Sequence, residues 1–304
     1  YLNDNNGGIM SLCSQDYVNY CHQQGVEVWG LVSNLENQDV DDTSVFSLTS
    51  SRDNLVNNLV AEAIKYDLDG INLDFELLPA EAADGYLEFI RELSIKCENN
   101  DLVLSVDNYV PAAYNSYYDR EEQAVFADYI VVMAYDEHYV KGPEAGSTSS
   151  LAFVKQSAER TIAEVPKEKV IVGLPFYSRL WCETPADSES DKADNSQVFV
   201  DNSDGTYDSK NNKYLLSSKG VSMEGENNII REHDLSLTWL DDVGQFYTEY
   251  EENGSWYRLW VEDENSMDLK MQAACSYEPG GVAFFKLNME NKETWSIIRK
   301  YTDK

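Results

Sequence analysis

The chain has 304 residues, of which 42% are apolar, and its 55 acidic residues against 23 basic ones give a formal net charge of −32. This apolar content excludes a mainly disordered chain. The acidic excess disfavours an electrostatic nucleic-acid binder and a protein that binds anionic membranes. No apolar run approaches the roughly 18 residues of a membrane span. We therefore expect a globular protein without nucleic-acid or membrane partners, and the simplest ligand is a neutral one.

Six apolar segments flanked by turn residues predict β-strands. In chain order they are residues 25–32, 68–75, 102–106, 129–134, 169–176 and 281–287. Amphipathic stretches between them predict helices over residues 51–66, 80–98 and 148–165. Strands that alternate with helices favour a parallel sheet covered by helices, which is either an open doubly wound sheet or a closed (β/α)8 barrel.

The region 182–258 breaks this alternation, because it is polar, acidic and weakly patterned. Within it we predict helices over residues 221–233 and 240–252. We interpret the region as an elaborated α+β insertion after the strand at residues 169–176. The predicted organisation is a single domain over residues 1–304 that contains this insertion.

A closed barrel of this class needs eight strands, whereas the pattern supplies six. Only a polar turn and a helix-like stretch at residues 14–24 precede the first predicted strand. If the fold is a barrel, its first one or two strands are missing from the N-terminal side. We then expect that the parent gene encodes further residues before Tyr1.

The five cysteines are widely spaced, and no C-x-x-C pair occurs. This pattern gives no support to a zinc site, and a domain of this length does not need a disulfide scaffold. The nucleotide-binding patterns G-x-x-x-x-G-K-[ST] and G-x-G-x-x-G are also absent from the sequence. From these patterns we predict no zinc site and no nucleotide cofactor.

The most informative segment is residues 69–76, with the sequence D-G-I-N-L-D-F-E. In a strand its apolar and polar side chains point to opposite faces, with Asn72, Asp74 and Glu76 together on the polar face. Three polar groups on a buried face are costly unless they are hydrogen-bonded and used. In a barrel this face is the interior, and Glu76 lies at the C-terminal rim, where active sites occur. Coupling with Asp74 can keep Glu76 protonated as a general acid.

Two alternatives remain for these carboxylates at this point. They could form a buried structural network, or Asp69, Asp74 and Glu76 could hold a metal ion.

The segment 69–76 resembles the D-G-x-[DN]-x-D-x-E signature of glycoside hydrolase family 18, the chitinase family. Residues 132–136 resemble the Met-x-Tyr-Asp strand of that family, residues 172–179 its Gly-x-Pro-x-Tyr-x-Arg strand, and residues 281–285 its last strand. The similarity is greatest to the branch of bacterial spore-cortex and cell-wall glucosaminidases, which carries a stretch like residues 259–266. The resemblance implies a (β/α)8 TIM barrel with the insertion after its seventh strand.

The resemblance also implies substrate-assisted catalysis, which sets this family apart from the two-carboxylate glycosidases. Glu76 would protonate the glycosidic oxygen, and the 2-acetamido oxygen of the substrate would attack the anomeric carbon. Asp74 would hold the acetamido N–H, and the Tyr135 hydroxyl would orient the acetamido oxygen. Water activated by Glu76 would complete hydrolysis with retention, without a metal.

The implied substrate-binding residues lie on several predicted strands, and each has a structural alternative such as core filling or a surface ion pair. They are Asn72, Met133, Asp136, Tyr177, Arg179, Phe285 and, as a rim residue, Asn34.

Two positions depart from the family pattern. Phe285 replaces a Trp that forms the floor under the sugar in many members, which predicts weaker stacking. Asn72 replaces an Asp behind Asp74, which predicts a lower pKa for Asp74 than an acidic partner would give.

We therefore expect a retaining N-acetylglucosaminidase that acts on peptidoglycan or a related glycan. The alternatives are a non-catalytic, lectin-like member of the same barrel family and a metal-dependent hydrolase. The sequence leaves chitin, peptidoglycan and N-glycans open as substrates. We expect a bacterial monomer that works outside the cell or at its surface.

Overall fold

The computed structural model describes residues 1–185, 198–200 and 214–302. The chain forms two compact units. Unit 1 comprises residues 1–132, 160–171 and 279–281, and unit 2 comprises residues 133–159, 172–278 and 282–304. The assignment of residues 1–304 to one domain stays a prediction.

The described residues form twelve strands and nine α-helices. The strands are β1 (Trp29–Ser33), β2 (Gly70–Asp74), β3 (Val103–Asn108), β4 (Tyr129–Met133), β5 (Val170–Pro175), β6 (Tyr177–Pro185), β7 (Val198–Val200), β8 (Tyr214–Ser222), β9 (Thr238–Leu240), β10 (Gln245–Glu252), β11 (Ser255–Val261) and β12 (Gly281–Phe285). The helices are α1 (Gln15–Gln23), α2 (Asp42–Ser47), α3 (Thr49–Tyr66), α4 (Ala83–Glu98), α5 (Arg120–Phe126), α6 (Leu151–Ile162), α7 (Met223–Glu232), α8 (Glu264–Cys275) and α9 (Thr294–Thr302).

One sheet contains six strands in the order β1-β2-β3-β4-β5-β12. The pairs β1–β2, β2–β3 and β3–β4 are parallel, as expected for strands joined through helices. All six predicted strands are confirmed, and the predicted helices at 51–66, 80–98 and 148–165 correspond to α3, α4 and α6. In the part of the chain that the structure describes, this sheet therefore has six strands, the number expected from the sequence.

The core of unit 1 fixes the position of β2. Phe75, directly after β2, packs its ring edge-on against Phe46 of α2 and against Tyr86 and Phe89 of α4. All four rings are almost completely buried. Burial of aromatic side chains at this density stabilises the strand and directs its other face away from the helices.

The second sheet lies in unit 2 and has the order β7-β8-β6-β11-β10-β9. Its neighbouring strands pair antiparallel, and most of the sheet falls within the predicted insertion 182–258. Residues 186–197 and 201–213 of that insertion lie outside the described residues. The predicted helix at 221–233 is confirmed as α7, with the Ser222 side chain as its N-cap.

The predicted helix over residues 240–252 is wrong, because this segment forms the end of β9, a turn and β10. Gly244 adopts a φ of 72° in the turn, which a glycine accommodates easily. Tyr250 of β10 lies opposite Tyr257 of β11, and their rings stack with centroids 4.9 Å apart. This cross-strand pairing outweighs the local helical spacing.

Unit 2 also buries an ion pair between Lys270 of α8 and Glu262, with both side chains fully buried. The Glu262 carboxylate accepts further hydrogen bonds from Ser266 Oγ (2.7 Å) and Gln245 Nε2 (3.1 Å). Burial raises the pKa of Glu262, and Lys270 opposes that rise. The pair is satisfied only while both partners are present.

No helix among the described residues is both long and apolar enough to cross a membrane. All five cysteines are described, and none of them forms a disulfide.

Candidate active site

The structure confirms the alternation of residues 71–76. Ile71, Leu73 and Phe75 are buried at 2%, 0% and 1% exposure, respectively. Asn72, Asp74 and Glu76 are partly exposed and lie on the other face. The strand and the two residues after it therefore present a row of polar side chains that ends at Glu76.

Asp74 carries a buried acceptor with no partner. Its Oδ1 atom has no hydrogen bond to any described residue. Burial, followed by the charges of Glu76 and Glu36, raises the pKa of Asp74 from 3.8 to about 6. A buried carboxylate oxygen without a donor is unfavourable on its own, so this atom is available to a donor from a ligand.

The backbone of Glu76 is held by the side chain of Asn34, which follows β1. Asn34 Nδ2 donates to the Glu76 carbonyl oxygen (2.8 Å), and the Glu76 N–H donates to Asn34 Oδ1 (2.9 Å). Asn34 Nδ2 also donates to Asp42 Oδ2 (2.8 Å). The sequence predicted Asn34 as a rim residue that binds substrate, whereas these contacts give its amide a role in fixing Glu76.

Two tyrosines support the turn that follows Glu76. The Tyr109 hydroxyl donates to Glu76 Oε2 (2.9 Å) and accepts the Leu77 N–H (3.2 Å). The Tyr118 hydroxyl accepts the Leu78 N–H (3.1 Å). Leu77 has a φ of 54°, a left-handed conformation that costs a non-glycine residue about 1–2 kcal/mol. The tyrosines hold this unfavourable backbone in place beside the carboxyl group of Glu76.

Behind Asp74, the neutral Asn72 is bonded to the neighbouring strand. Asn72 Nδ2 donates to Ser105 Oγ and to Asp107 Oδ1, both at 2.8 Å. Burial is the main cause that raises the pKa of Asp107 to about 7. The charges that act on Asp74 come from Glu76 and Glu36, while the carboxyl group of Asp107 is bonded to Asn72. The pKa of Asp74 is raised by its burial and by neighbouring charges despite the Asp-to-Asn departure.

Sequence reasoning missed Asp107 and Tyr109. Both lie just beyond the predicted strand 102–106, at alternate positions with Ser105. Polar residues at every second position, at the C-terminal end of a parallel strand next to the signature strand, could have indicated that both residues face the site.

In unit 2, the predicted residues form a polar pair and an aromatic cluster. Asp136 Oδ1 accepts hydrogen bonds from Tyr177 Oη (2.8 Å) and Arg179 Nη2 (2.9 Å). Arg179 is thus paired with Asp136, and the Arg179 side chain is 12% exposed. Asp136 belongs to the Tyr-Asp segment of the family pattern and Arg179 to its Tyr-x-Arg segment. Met133 ends β4 and is buried.

The aromatic cluster consists of Tyr135, Tyr177 and Phe285. The Tyr135 and Phe285 rings stack with centroids 5.7 Å apart, and Tyr177 lies edge-on to both. Phe285 is 45% exposed. An exposed ring held by two others is suited to stacking against the apolar face of a sugar.

The metal-site alternative is not supported by the carboxylate positions. Asp69 precedes β2, and its Oδ2 is bonded to His22 Nε2 (2.8 Å) and to the Val28 N–H (2.7 Å). Its carboxylate is therefore used at the opposite end of the strand from Glu76. Among the described residues, no group of three or more His, Cys, Asp or Glu side chains is arranged to hold a metal ion.

Residues 37–290 match the sequence profile of the family described as Glycosyl hydrolases family 18. The chain belongs to glycosyl hydrolase family 18. It is therefore a glycosidase of the TIM-barrel class, as the resemblance of the signature strand implied.

Three proteins show what this family 18 chain is similar to. The uncharacterized glycosylase YvbX of Bacillus subtilis is 24% identical, and the match covers 98% of this chain and 82% of that protein. The cortical fragment-lytic enzyme of Bacillus anthracis is 21% identical over 88% of this chain and 58% of its own length. The crystal structure of a chitinase from Chromobacterium violaceum superposes with a TM-score of 0.80 at 19% identity, over 99% of this chain and 89% of that one. At this identity the structural likeness shows the fold.

Proposed function

We propose that this family 18 glycosidase cleaves N-acetylglucosamine-containing polysaccharide with retention, by substrate-assisted catalysis. The observation that carries the proposal is the buried, unpartnered Oδ1 of Asp74, which lies two residues from Glu76 on the same face. A 2-acetamido N–H is a donor of the kind that this acceptor needs.

In the proposed reaction, Glu76 donates its proton to the glycosidic oxygen as the bond to the anomeric carbon breaks. The acetamido oxygen of the same sugar forms the new bond to that carbon, which gives an oxazolinium ion and a neutral leaving alcohol. The Glu76 carboxylate then takes a proton from water as the water attacks the anomeric carbon. This attack breaks the bond to the acetamido oxygen and opens the oxazolinium ring. Two inversions give net retention, and Glu76 ends in its acid form.

Asp74 stabilises the oxazolinium intermediate, because the acetamido nitrogen becomes more positive as the oxazolinium ring closes. With a pKa of about 6, Asp74 is largely ionised at neutral pH and accepts the N–H as a charge-assisted hydrogen bond. The resemblance to the family assigns the Tyr135 hydroxyl to the acetamido oxygen, and this role stays a prediction.

For the substrate, we propose a bacterial cell-wall glycan of the peptidoglycan type. Support comes from the similarity to a protein named cortical fragment-lytic enzyme, although this chain spans only about three fifths of its length. Such a substrate places the enzyme outside the cell or at its surface. The net charge of −32 gives no help in binding an anionic wall, so recognition must come from local contacts.

The proposal is tested by incubating the wild type and Glu76→Gln with purified peptidoglycan and with chitin oligomers. New reducing ends are quantified, and the products are identified by mass spectrometry. We expect the wild type to release products that end in a 2-acetamido sugar, and Glu76→Gln to lose at least about a hundredfold in rate. Glu121→Gln, which changes an exposed carboxylate on α5, is the matched control and should keep wild-type activity.

If the wild type binds these glycans but releases no reducing ends, the lectin-like alternative replaces the proposal. Loss of the wild-type activity on addition of EDTA would instead favour the metal-dependent hydrolase.

A further inference from the structure

The polar face of β2 is matched by a second row of polar side chains from β3. Asn72 pairs with Ser105 and Leu73 with Val106 in the parallel register. By the same offset in sequence, Asp74 corresponds to Asp107 and Glu76 to Tyr109. The hydrogen bonds from Asn72 to Asp107 and from Tyr109 to Glu76 join the two rows.

The Tyr109 hydroxyl has a single proton, and its direction is fixed by its neighbours. One lone pair of its oxygen accepts the Leu77 N–H (3.2 Å), while the oxygen lies 2.9 Å from Glu76 Oε2. The proton therefore points to Glu76 Oε2, which acts as an acceptor. When Glu76 is in its acid form, its own proton is left on Oε1.

We propose that Tyr109 is a positioning residue that fixes Glu76 Oε1 as the oxygen that delivers the proton. This inference rests on the proposed role of Glu76 as general acid. The two Asn34 bonds hold the backbone of Glu76, and the bond from Tyr109 holds its Oε2 atom. A carboxyl group that is preoriented in this way loses less entropy as it reaches the transition state.

Tyr109 is suited to this task because it remains a donor at every pH at which the enzyme works. Burial and the neighbouring Glu76 charge raise the pKa of Tyr109 far above its ordinary value. The ring is held edge-on against Tyr118, with centroids 6.0 Å apart. Within unit 1, the titratable groups that interact with the Glu76 charge are Asp74, Asp107, Tyr109 and Tyr118.

A hydroxyl that donates to a carboxylate oxygen stabilises negative charge on that oxygen, and Tyr109 donates to Oε2 of Glu76. Removing the hydroxyl while keeping the ring should therefore make Glu76 hold its proton to higher pH. It should also let the carboxyl group rotate, which lowers kcat more than it changes KM.

The test uses the full chain labelled with ¹³C at the side-chain carboxyl of glutamate. The Glu76 resonance is assigned by its loss in Glu76→Gln, and its titration is followed by NMR. In Tyr109→Phe we expect the titration midpoint of this resonance to move up by about one pH unit. In Tyr117→Phe, which removes a hydroxyl that donates to the Leu78 carbonyl oxygen of the same turn (2.8 Å), the midpoint should stay at the wild-type value.

Activity on the glycan that the wild type cleaves gives a second readout. We expect Tyr109→Phe to lower kcat about tenfold, with KM changed less than twofold, and to move the alkaline limb of the pH–rate profile upwards. An unchanged midpoint in Tyr109→Phe, or equal changes in both variants, would overturn the proposal. The titration does not require turnover, so the two proposals can fail separately. An inactive wild type would contradict the proposed function. An unchanged Glu76 midpoint in Tyr109→Phe would contradict the positioning role of Tyr109.

Discussion

Replacing Asp74 by Asn is expected to stabilise the fold while it removes activity. The side chain is held in a partly desolvated position near Glu76 and Glu36, where the ionised form is disfavoured. Its Oδ1 atom has no donor among the described residues, so the native state gains little from the charge. An amide of the same shape avoids the desolvation of a charge.

The size of this effect follows from the raised pKa. The value of about 6 lies some two units above the ordinary 3.8, and each unit corresponds to about 1.4 kcal/mol. Ionised Asp74 therefore destabilises the folded state by about 3 kcal/mol at pH 8. Because the folded state holds the proton more tightly than the unfolded state, this penalty is absent below pH 3.8 and grows as pH rises to about 6.

The assay is thermal and urea unfolding of the wild type and Asp74→Asn at pH 4 and pH 8. We expect the variant to unfold at a temperature higher by about 5 °C at pH 8, and by much less at pH 4. Asp53→Asn, which changes an exposed carboxylate on α3, is the matched control and should show no gain. A gain of equal size at both pH values, or no gain at pH 8, would refute the reasoning from burial and charge.

Three further substitutions test other parts of the structure. Asn34→Asp replaces the donor to the Glu76 carbonyl oxygen by an acceptor. In steady-state assays kcat should therefore fall about tenfold with KM nearly constant. An unchanged kcat would mean that Asn34 does not hold Glu76 in position. Lys270→Met leaves Glu262 buried without its cation and should lower the free energy of unfolding in urea by about 3 kcal/mol or more. Adding Glu262→Gln should recover much of this loss. A single variant as stable as the wild type would contradict the role of the buried ion pair. Phe285→Trp enlarges the exposed ring and should lower KM for N-acetylated oligosaccharides about threefold, whereas no change in KM would mean that this ring does not contact sugar.

Local alternation was enough to predict the strand that carries Asp74 and ends shortly before Glu76. Ile71, Leu73 and Phe75 alternate with polar residues, and the period of two is a property of the strand itself. The other strands of the same sheet were predictable for a related reason, because their apolar runs are bounded by turn residues.

The support around Glu76 was not predictable in this way, because it depends on which residues the register brings together. Tyr109 reaches Glu76 across 33 positions of sequence, and Asn34 reaches it across 42. Nothing in the local pattern of either residue indicates that partner. A motif therefore identifies a catalytic carboxylate more readily than the groups that orient it.

The insertion shows the opposite failure, in which a local pattern was convincing and wrong. Residues 240–252 have apolar spacing compatible with a helix, but the left-handed Gly244 and the stacked pair of Tyr250 and Tyr257 select strands. Cross-strand contacts decide such segments, and they are not visible before the partner strand is known.

Substrate-assisted cleavage requires a 2-acetamido group on the sugar whose bond is broken. The direct measurement compares two oligosaccharides of the glycan that the wild type cleaves, identical except that this one sugar carries either a 2-acetamido or a free 2-amino group. Proton NMR follows the rate and the anomer that is released first. We predict rapid cleavage of the acetylated compound with the β-anomer formed first, and cleavage of the amino compound slower by at least about a thousandfold. Comparable rates for the two compounds, or initial release of the α-anomer, would contradict the mechanism.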